Sequence, residues 1–287
     1  MSTFQHPTYN IPIALPPGLS QEQLLGFHPF TSWLSTLQAS LASQRANPAH
    51  PFHPDPYTLR AVTVQAYDLF GRVPHTRLGF LKLTSHVANA AGETLPASVF
   101  LRGPAVAMLV MLIPEDDGAG PGEGKKVGEE EERYVLLTVQ PRIAAGSLEF
   151  VELPAGMVDE EGEFVGTAAR EIQEELGMEI DKDALVCLSD LVEGGDGAGT
   201  NEPPLPKGVY PSAGGCDEYI PIYMHERRIP RAQLAEWEGK LTGLREHGEK
   251  ITLKLVKMKD LWKVGARDAK ALAAVALWEG LRREGRI

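Results

Sequence analysis

The sequence predicts a mixed α/β (α+β) chain, with a β-rich N-terminal part ahead of a larger part that combines strands and helices. Three observations predict it. Short runs of β-type residues follow one another over 58–103. The continuous apolar run PAVAMLVMLIP over 104–114 has the composition of a strand buried on both faces. Two segments, 164–176 and 268–284, place apolar residues at helical spacing.

The elements follow in order. Residues 1–19 hold four prolines and read as an extended arm. Ser20 and Gln23 have the residue types of a capping box for a short turn. Phe30, Trp33, Leu34, Leu37 and Leu41 predict a helix over 30–44, with Trp33 read as core. Residues 46–57 (ANPAHPFHPDPY) form a proline-rich linker. Runs over 58–70, 77–85 and 98–103 predict a small antiparallel sheet. Residues 115–132 are nearly all glycine and charge and cannot bury enough apolar area to offset ordering, so a disordered surface loop is expected there. Strands are expected over 133–141, 217–226 and 250–258, with a second flexible loop over 191–209. The C-terminal helix, 268–284, is expected to turn Leu272, Val275, Ala276 and Leu281 to one face.

Composition narrows the function. The 287 residues carry 28 Lys+Arg against 39 Asp+Glu, a net charge of −11. That argues against nucleic-acid binding, which wants a basic face, and leaves room for a small anionic substrate carried by a metal ion. The two cysteines, Cys187 and Cys216, exclude a disulfide framework or a cysteine zinc module. No apolar stretch reaches membrane-spanning length, so no membrane partner is expected. The N-terminus lacks the pattern of a secretory signal, and no Arg precedes Arg45, which speaks against a transit peptide. The expected compartment is the cytoplasm, with the nucleus as the alternative.

The chemistry concentrates in 153–180, LPAGMVDEEGEFVGTAAREIQEELGMEI. Ala168, Ala169, Ile172 and Leu176 can face a core, and Gly177 is placed to end the helix. Glu171, Glu174 and Glu175 stand at i, i+3 and i+4, an arc of roughly 100° on one helix face. Three carboxylates there repel one another unless cations neutralise them. A solvated acidic face is the plain alternative. Hard oxygen ligands in a partly open cluster suit magnesium, with manganese as substitute. Arg170 is positioned to hold Glu174 as an i, i+4 partner, and the Pro154-Ala155-Gly156 turn lets backbone approach a metal or phosphate.

This segment resembles the Nudix box: Gly, five residues, Glu, seven residues, then Arg-Glu-apolar-any-Glu-Glu-any-Gly-apolar. Gly156, Arg170, Glu171, Ile172, Glu174, Glu175, Gly177 and Met178 match it. The early Glu position holds Gly162 between Glu161 and Glu163, read as a one-residue loop shift. Arg102-Gly103, Gln140-Pro141-Arg142, the 211–218 segment PSAGGCDE, GLREHGEKI (243–251) and the C-terminal helix resemble the ADP-sugar diphosphatase branch of that family, in its plant plastidial type.

The resemblance implies a Nudix α/β/α sandwich with a mixed sheet over 96–287. It implies a β-rich dimerisation domain with its arm and helix over 1–95, and a homodimer. It implies magnesium held by Glu171 and Glu175, by Glu174 directly or through water, by the Ala155 carbonyl, and by Glu218, with Asp217 as its alternative. It places the water-activating carboxylate on a glycine-flanked loop, with Glu249 first and Glu246 second; surface charge is the equal alternative for both. Arg142 matches a phosphate-contacting arginine and Arg245 is a weaker candidate. Arg102 is assigned to the nucleotide or to the fold, and Gly214 and Gly215 to a turn beside the terminal sugar. Cys216 has no base partner and His247 reads as surface.

The implied activity is hydrolysis of ADP-ribose to AMP and ribose 5-phosphate, or of ADP-glucose to AMP and glucose 1-phosphate. Two alternatives stand beside it: a Nudix hydrolase acting on another nucleoside diphosphate derivative, and a non-catalytic sensor of an ADP-containing ligand, which the intact glutamates disfavour.

Overall fold

The computed structural model describes residues 1–72, 75–115, 131–158, 163–192, 203–244 and 250–287. They fall into two units, Met1–Pro104 with Gly194–Tyr219, and Ala105–Glu193 with Ile220–Ile287.

In the first unit the proline arm forms two strands, β1 (Ser2–Gln5) and β2 (Pro12–Leu15). Its prolines fall in the turn between the two strands, at the start of β2 and beyond its end. Helix α1 (Gln21–Leu25) opens on the predicted capping box: Gln23 N donates to Ser20 Oγ at 3.1 Å, and Ser20 N to Gln23 Oε1 at 3.0 Å. Helix α2 (His28–Ala46) starts with a proline in its first turn and buries Phe30 and Leu34, with Trp33, Leu37 and Leu41 partly covered.

The linker is tied back rather than loose. Gln44 Nε2 donates to the Tyr57 carbonyl at 3.3 Å, and Tyr57 N donates to Gln44 Oε1 at 3.0 Å. Strands β3 (Thr58–Arg72), β4 (His75–Ala88) and β5 (Ser98–Leu101) complete a sheet of order β1-β2-β3-β4-β5. The three expected runs pair antiparallel, β3 with β4 and β4 with β5, and the arm adds β2, which joins β3 in parallel. Val62, Val64, Leu81 and Leu83 supply its buried face.

The expected strand over 217–226 begins only at Ile222, because residues before it bond to the first unit. Phe100 N donates to the Gly215 carbonyl at 2.8 Å, and the Asp217 carboxylate accepts from Arg102 N at 2.8 Å and Gly103 N at 3.1 Å.

The second unit is built on β6 (Ala105–Glu115), whose residues Ala105–Ile113 are all buried. It lies in a mixed sheet with β7 (Tyr134–Arg142), β8 (Ser147–Glu152), β9 (Ala155–Met157), β10 (Val186–Cys187), β11 (Ile222–Pro230), β12 (Leu241–Thr242) and β13 (Ile251–Lys257). The path is β10-β11-β6-β7-β13-β12, with β8 on β7 and β9 on β6; β11 runs parallel to β6. Helix α3 (Phe164–Glu171) and the turn after it set Ala168, Ile172 and Leu176 against Val106, Met108 and Val110. Alternation along β6 turns Ala107, Leu109 and Met111 to the opposite face. The short α4 (Leu261–Val264) precedes α5 (Ala269–Arg283), which also packs on β6 and β11. The mixed-sheet α/β class expected from the sequence is the observed one.

Two helical expectations need correction. The helix over 164–176 is α-helical only to Glu171; Ile172–Leu176 form a π-helical turn. The buried stripe of α5 is Ala271, Ala274, Val275, Trp278 and Leu281, while Leu272 is 42% exposed and Ala276 is exposed. Small alanines let the helix approach the sheet, so the stripe follows Ala and Trp rather than Leu. No helix among the described residues is long and apolar enough to cross a membrane.

Most of the expected disordered loop, 116–130, lies outside the described residues, as do 193–202 of the second one. The ends of the first are latched by charge. Arg228 meets Glu115 at 3.6 Å and Glu131 at 2.9 Å. Glu132 accepts from Lys257 at 2.7 Å and Arg231 at 2.9 Å, and these bonds hold its carboxyl at about 2 against the opposing effect of burial. A depressed carboxyl stabilises the fold above its unfolded pKa and loses that contribution as pH falls through the folded value. Urea midpoints should therefore fall between about pH 4.5 and 2, and Glu132→Gln should flatten that part of the profile. An unchanged slope would remove Glu132 as a source of acid sensitivity.

Candidate active site

The second unit carries a group of acidic side chains around one stretch of backbone. Strand β9 pairs with β6, Ala107 opposite Ala155, and Met108 N donates to the Pro154 carbonyl at 3.0 Å. Residues 153–156 are thereby fixed against the central strand. Glu175 reaches them from the π turn. It is 5% exposed, and its carboxylate accepts from Ala155 N at 3.1 Å and from Gln140 Nε2 at 3.4 Å.

Burial, and then the neighbouring Glu171 charge, push the Glu175 carboxyl up to about 8, against the lowering effect of the Ala155 and Gln140 hydrogen bonds. Glu171 lies on Gly156, where an added Cβ would collide with its carboxyl group. A Cβ there would push the flexible Glu171 carboxyl out of its place beside Glu175, so glycine at this position serves close approach and not a backbone dihedral.

Ala155, Glu171 and Glu175 are thus brought together. Glu174 does not join them in a three-carboxylate group, and among the described residues no set of three His, Cys, Asp or Glu side chains converges. The π turn supplies the reason. An i→i+5 turn adds about one residue per turn, so it realigns residues four apart and swings those three apart away from each other. The Glu174 carbonyl instead accepts from Gly243 N at 3.3 Å, which ties the box to the chain leading into 245–249.

Two adjacent carboxylates, one almost fully buried and compensated only by neutral donors, fit a hard divalent cation. The Ala155–Gly156 backbone beside them fits an additional carbonyl ligand.

Beside this pair stands a second buried group. The Glu152 carboxylate, 3% exposed, accepts from Arg142 Nε at 2.6 Å and Lys270 Nζ at 2.7 Å. Lys270 also meets Asp268 at 3.0 Å. Asp268 caps α5 through Lys270 N at 3.1 Å and accepts from Leu153 N at 2.9 Å. Sequence reasoning found Arg142 but missed Glu152, Asp268 and Lys270. Asp268 had a legible signal as the N-cap ahead of an apolar helix; Glu152 had none.

In the first unit Glu218 pairs with Arg102 at 2.9 Å, Asp217 is taken up by backbone, and Gly214 and Gly215 line a cleft of ≈ 370 Å³ with Trp33, Tyr210 and Tyr219. Arg170 donates to Thr167 Oγ1 at 3.4 Å. Arg245, Glu246, His247 and Glu249, like Glu161 and Gly162, lie outside the described residues. Burial pushes the Cys187 thiol up to about 11 and raises that of Cys216, so neither is an activated nucleophile.

Residues 127–275 match the NUDIX domain family, and that span contains the Ala155–Glu175 arrangement. The chain belongs to this family. It is 38% identical over 232 residues to Nudix hydrolase 14, chloroplastic, from Arabidopsis thaliana, a match covering 80% of this chain and 65% of that protein. The Nudix chain described here therefore spans about two thirds of that relative's length. A solved structure titled as an ADP compounds hydrolase aligns with 80% of this chain and 99% of its own, at 17% identity and a TM-score of 0.42.

The geometry sets opposite stability signs for two substitutions. Glu175→Gln removes a buried charge but keeps an acceptor for Ala155 N, so the melting temperature of the metal-free Nudix chain should hold or rise. Gly156→Ala drives a methyl group into the flexible end of the Glu171 side chain, which must swing aside, and should cost at most about 1 kcal/mol. Calorimetry of both in chelator checks this; a large fall in Glu175→Gln would mean the carboxylate is structural.

Proposed function

We propose that this Nudix chain is a magnesium-dependent hydrolase that splits the diphosphate of ADP-sugars, releasing AMP and a sugar phosphate from ADP-ribose, ADP-glucose or both. The observation that carries the reading is the Glu171–Glu175 pair, Glu175 buried and Glu171 half-buried, set against Ala155 and Gly156. The NUDIX match supports the hydrolase class, and the flanking segments that resemble the ADP-sugar branch support the substrate.

Glu171, Glu175 and the Ala155 carbonyl would hold magnesium, with Glu174 through water. When bound, the metal neutralises the diphosphate and supplies hydroxide at neutral pH. Arg142, 41% exposed, meets Glu152 through Nε, which leaves its two terminal amines unclaimed by that carboxylate and suited to a phosphate. Glu249 or Glu246 would take the proton of the attacking water, and Arg245 would assist at the phosphate; these assignments rest on the resemblance. So do Glu218, Arg102, Gly214 and Gly215 as metal and substrate contacts. The homodimer and the cytoplasmic location belong to the same reading, and a strictly monomeric mass in light scattering would remove the dimer.

The test is AMP release from ADP-ribose and ADP-glucose in parallel, with magnesium and with EDTA. The expected result is turnover of at least one at about 1 s⁻¹ or faster, lost in EDTA and in Glu175→Gln. Folded protein that binds magnesium and cleaves neither overturns the substrate assignment and moves the chain to another diphosphate or to ligand sensing.

A further inference from the structure

The first turn of α5 buries charge beside the site. Asp268 is 3% exposed, Glu152 3%, and the Lys270 side chain 13%. With Arg142 they make a chain of two acids and two bases, Arg142–Glu152–Lys270–Asp268, joined at 2.6, 2.7 and 3.0 Å. Buried ion pairs are weak contributors to stability, because desolvation offsets most of the attraction. Apolar residues of similar volume would hold a helix to a sheet as well.

The two ends of the chain meet the two parts of the site. At one end Asp268 Oδ2 accepts from Leu153 N, two residues before Ala155, while Oδ1 caps α5. At the other, Glu152 Oε1 takes Arg142 Nε and fixes the plane of the guanidinium. Lys270 joins the ends, bridging Glu152 Oε2 and Asp268 Oδ1.

We propose that Asp268 and Lys270 are positioning residues for this diphosphate site: Asp268 sets the Leu153–Ala155 backbone that faces the metal, and Lys270, through Glu152, sets the arginine that faces the phosphate. The inference rests on the reading of the site given above. It divides the labour. Loss of Asp268 acts on metal affinity, and loss of Lys270 acts on substrate affinity with metal affinity kept.

The experiment measures Mn²⁺ binding by electron paramagnetic resonance and, separately, KM and kcat for ADP-ribose and ADP-glucose. It uses the full chain, Asp268→Asn, Lys270→Met and Lys270→Arg. Asp268→Asn should weaken Mn²⁺ binding about 10-fold, within the range for outer partners of metal ligands. Lys270→Met should raise KM about 10-fold with the Mn²⁺ Kd within about twofold, and Lys270→Arg should restore KM. In an Arg142→Ala background the Lys270→Met effect on KM should disappear, which a merely structural lysine would not show. If Lys270→Met does not fold, Glu152→Gln takes its place in the same cycle.

Additive effects of Lys270→Met and Arg142→Ala, or variants with wild-type Mn²⁺ and substrate affinity, overturn the positioning role alone. Wild-type protein that binds neither Mn²⁺ nor substrate overturns the site reading, and this inference with it.

Discussion

Glu175 sits 5% exposed, with only an amide N–H and a glutamine side chain to meet its carboxylate and a second glutamate next to it. A carboxylate in such a place either binds a proton or faces a cation. Much of the second unit follows from keeping it there. Strand β9 must pair with β6 so that Ala155 N points to it. Residue 156 must lack a Cβ so that Glu171 can lie alongside. The helix changes pitch after Glu171, and the carboxylate four residues on stays on the same face. π turns inside α-helices are costly in hydrogen-bond geometry and concentrate at functional sites.

The parts of this arrangement legible in the sequence are those with local causes. The capping box at Ser20 and Gln23 is a four-residue pattern, and it forms as read. The run over 104–114 is apolar at every position and becomes β6, buried from Ala105 to Ile113. Strands of two or three residues, β9, β10 and β12, are too short for any period to show. On α5, Val275 and Leu281 lie on the buried face as expected, while Leu272 and Ala276 are exposed and Ala271, Ala274 and Trp278 complete the stripe. In the site, Glu171 and Glu175 followed from spacing on one helix. The divergence of Glu174 did not, since no residue preference announces an i→i+5 turn. Leu153 and Asp268 are 115 residues apart in the chain, and no pattern in either segment points to the other.

The segment 211–218 shows how adjacent residues of one motif take different work. Asp217 is consumed by the backbone of Arg102 and Gly103. Gly103 holds a φ of +82° with Pro29 against it, so that turn needs both glycine and the Asp217 clamp. Glu218 instead meets the Arg102 guanidinium, whose Nε is buried without a partner. The two neighbours thus differ in what compensates them: backbone amides for Asp217, a guanidinium for Glu218.

The same comparison separates the acids of the second unit. Glu152 and Asp268 are as deeply buried as Glu175, yet each is met by a cation of the chain itself. Lys270 keeps its proton despite burial, which opposes it, because the charges of Glu152 and Asp268 outweigh that effect. Their charge is therefore settled within the fold, and they act by holding other groups in place. Glu175 has neutral donors and a like charge for neighbours. Three acids at one depth thus differ in what compensates them, and that difference distinguishes positioning groups from ligands more sharply than burial or motif position. By this criterion Glu152 and Asp268 are settled within the fold, and Glu175 is the one of the three that no cation of the chain meets among the described residues.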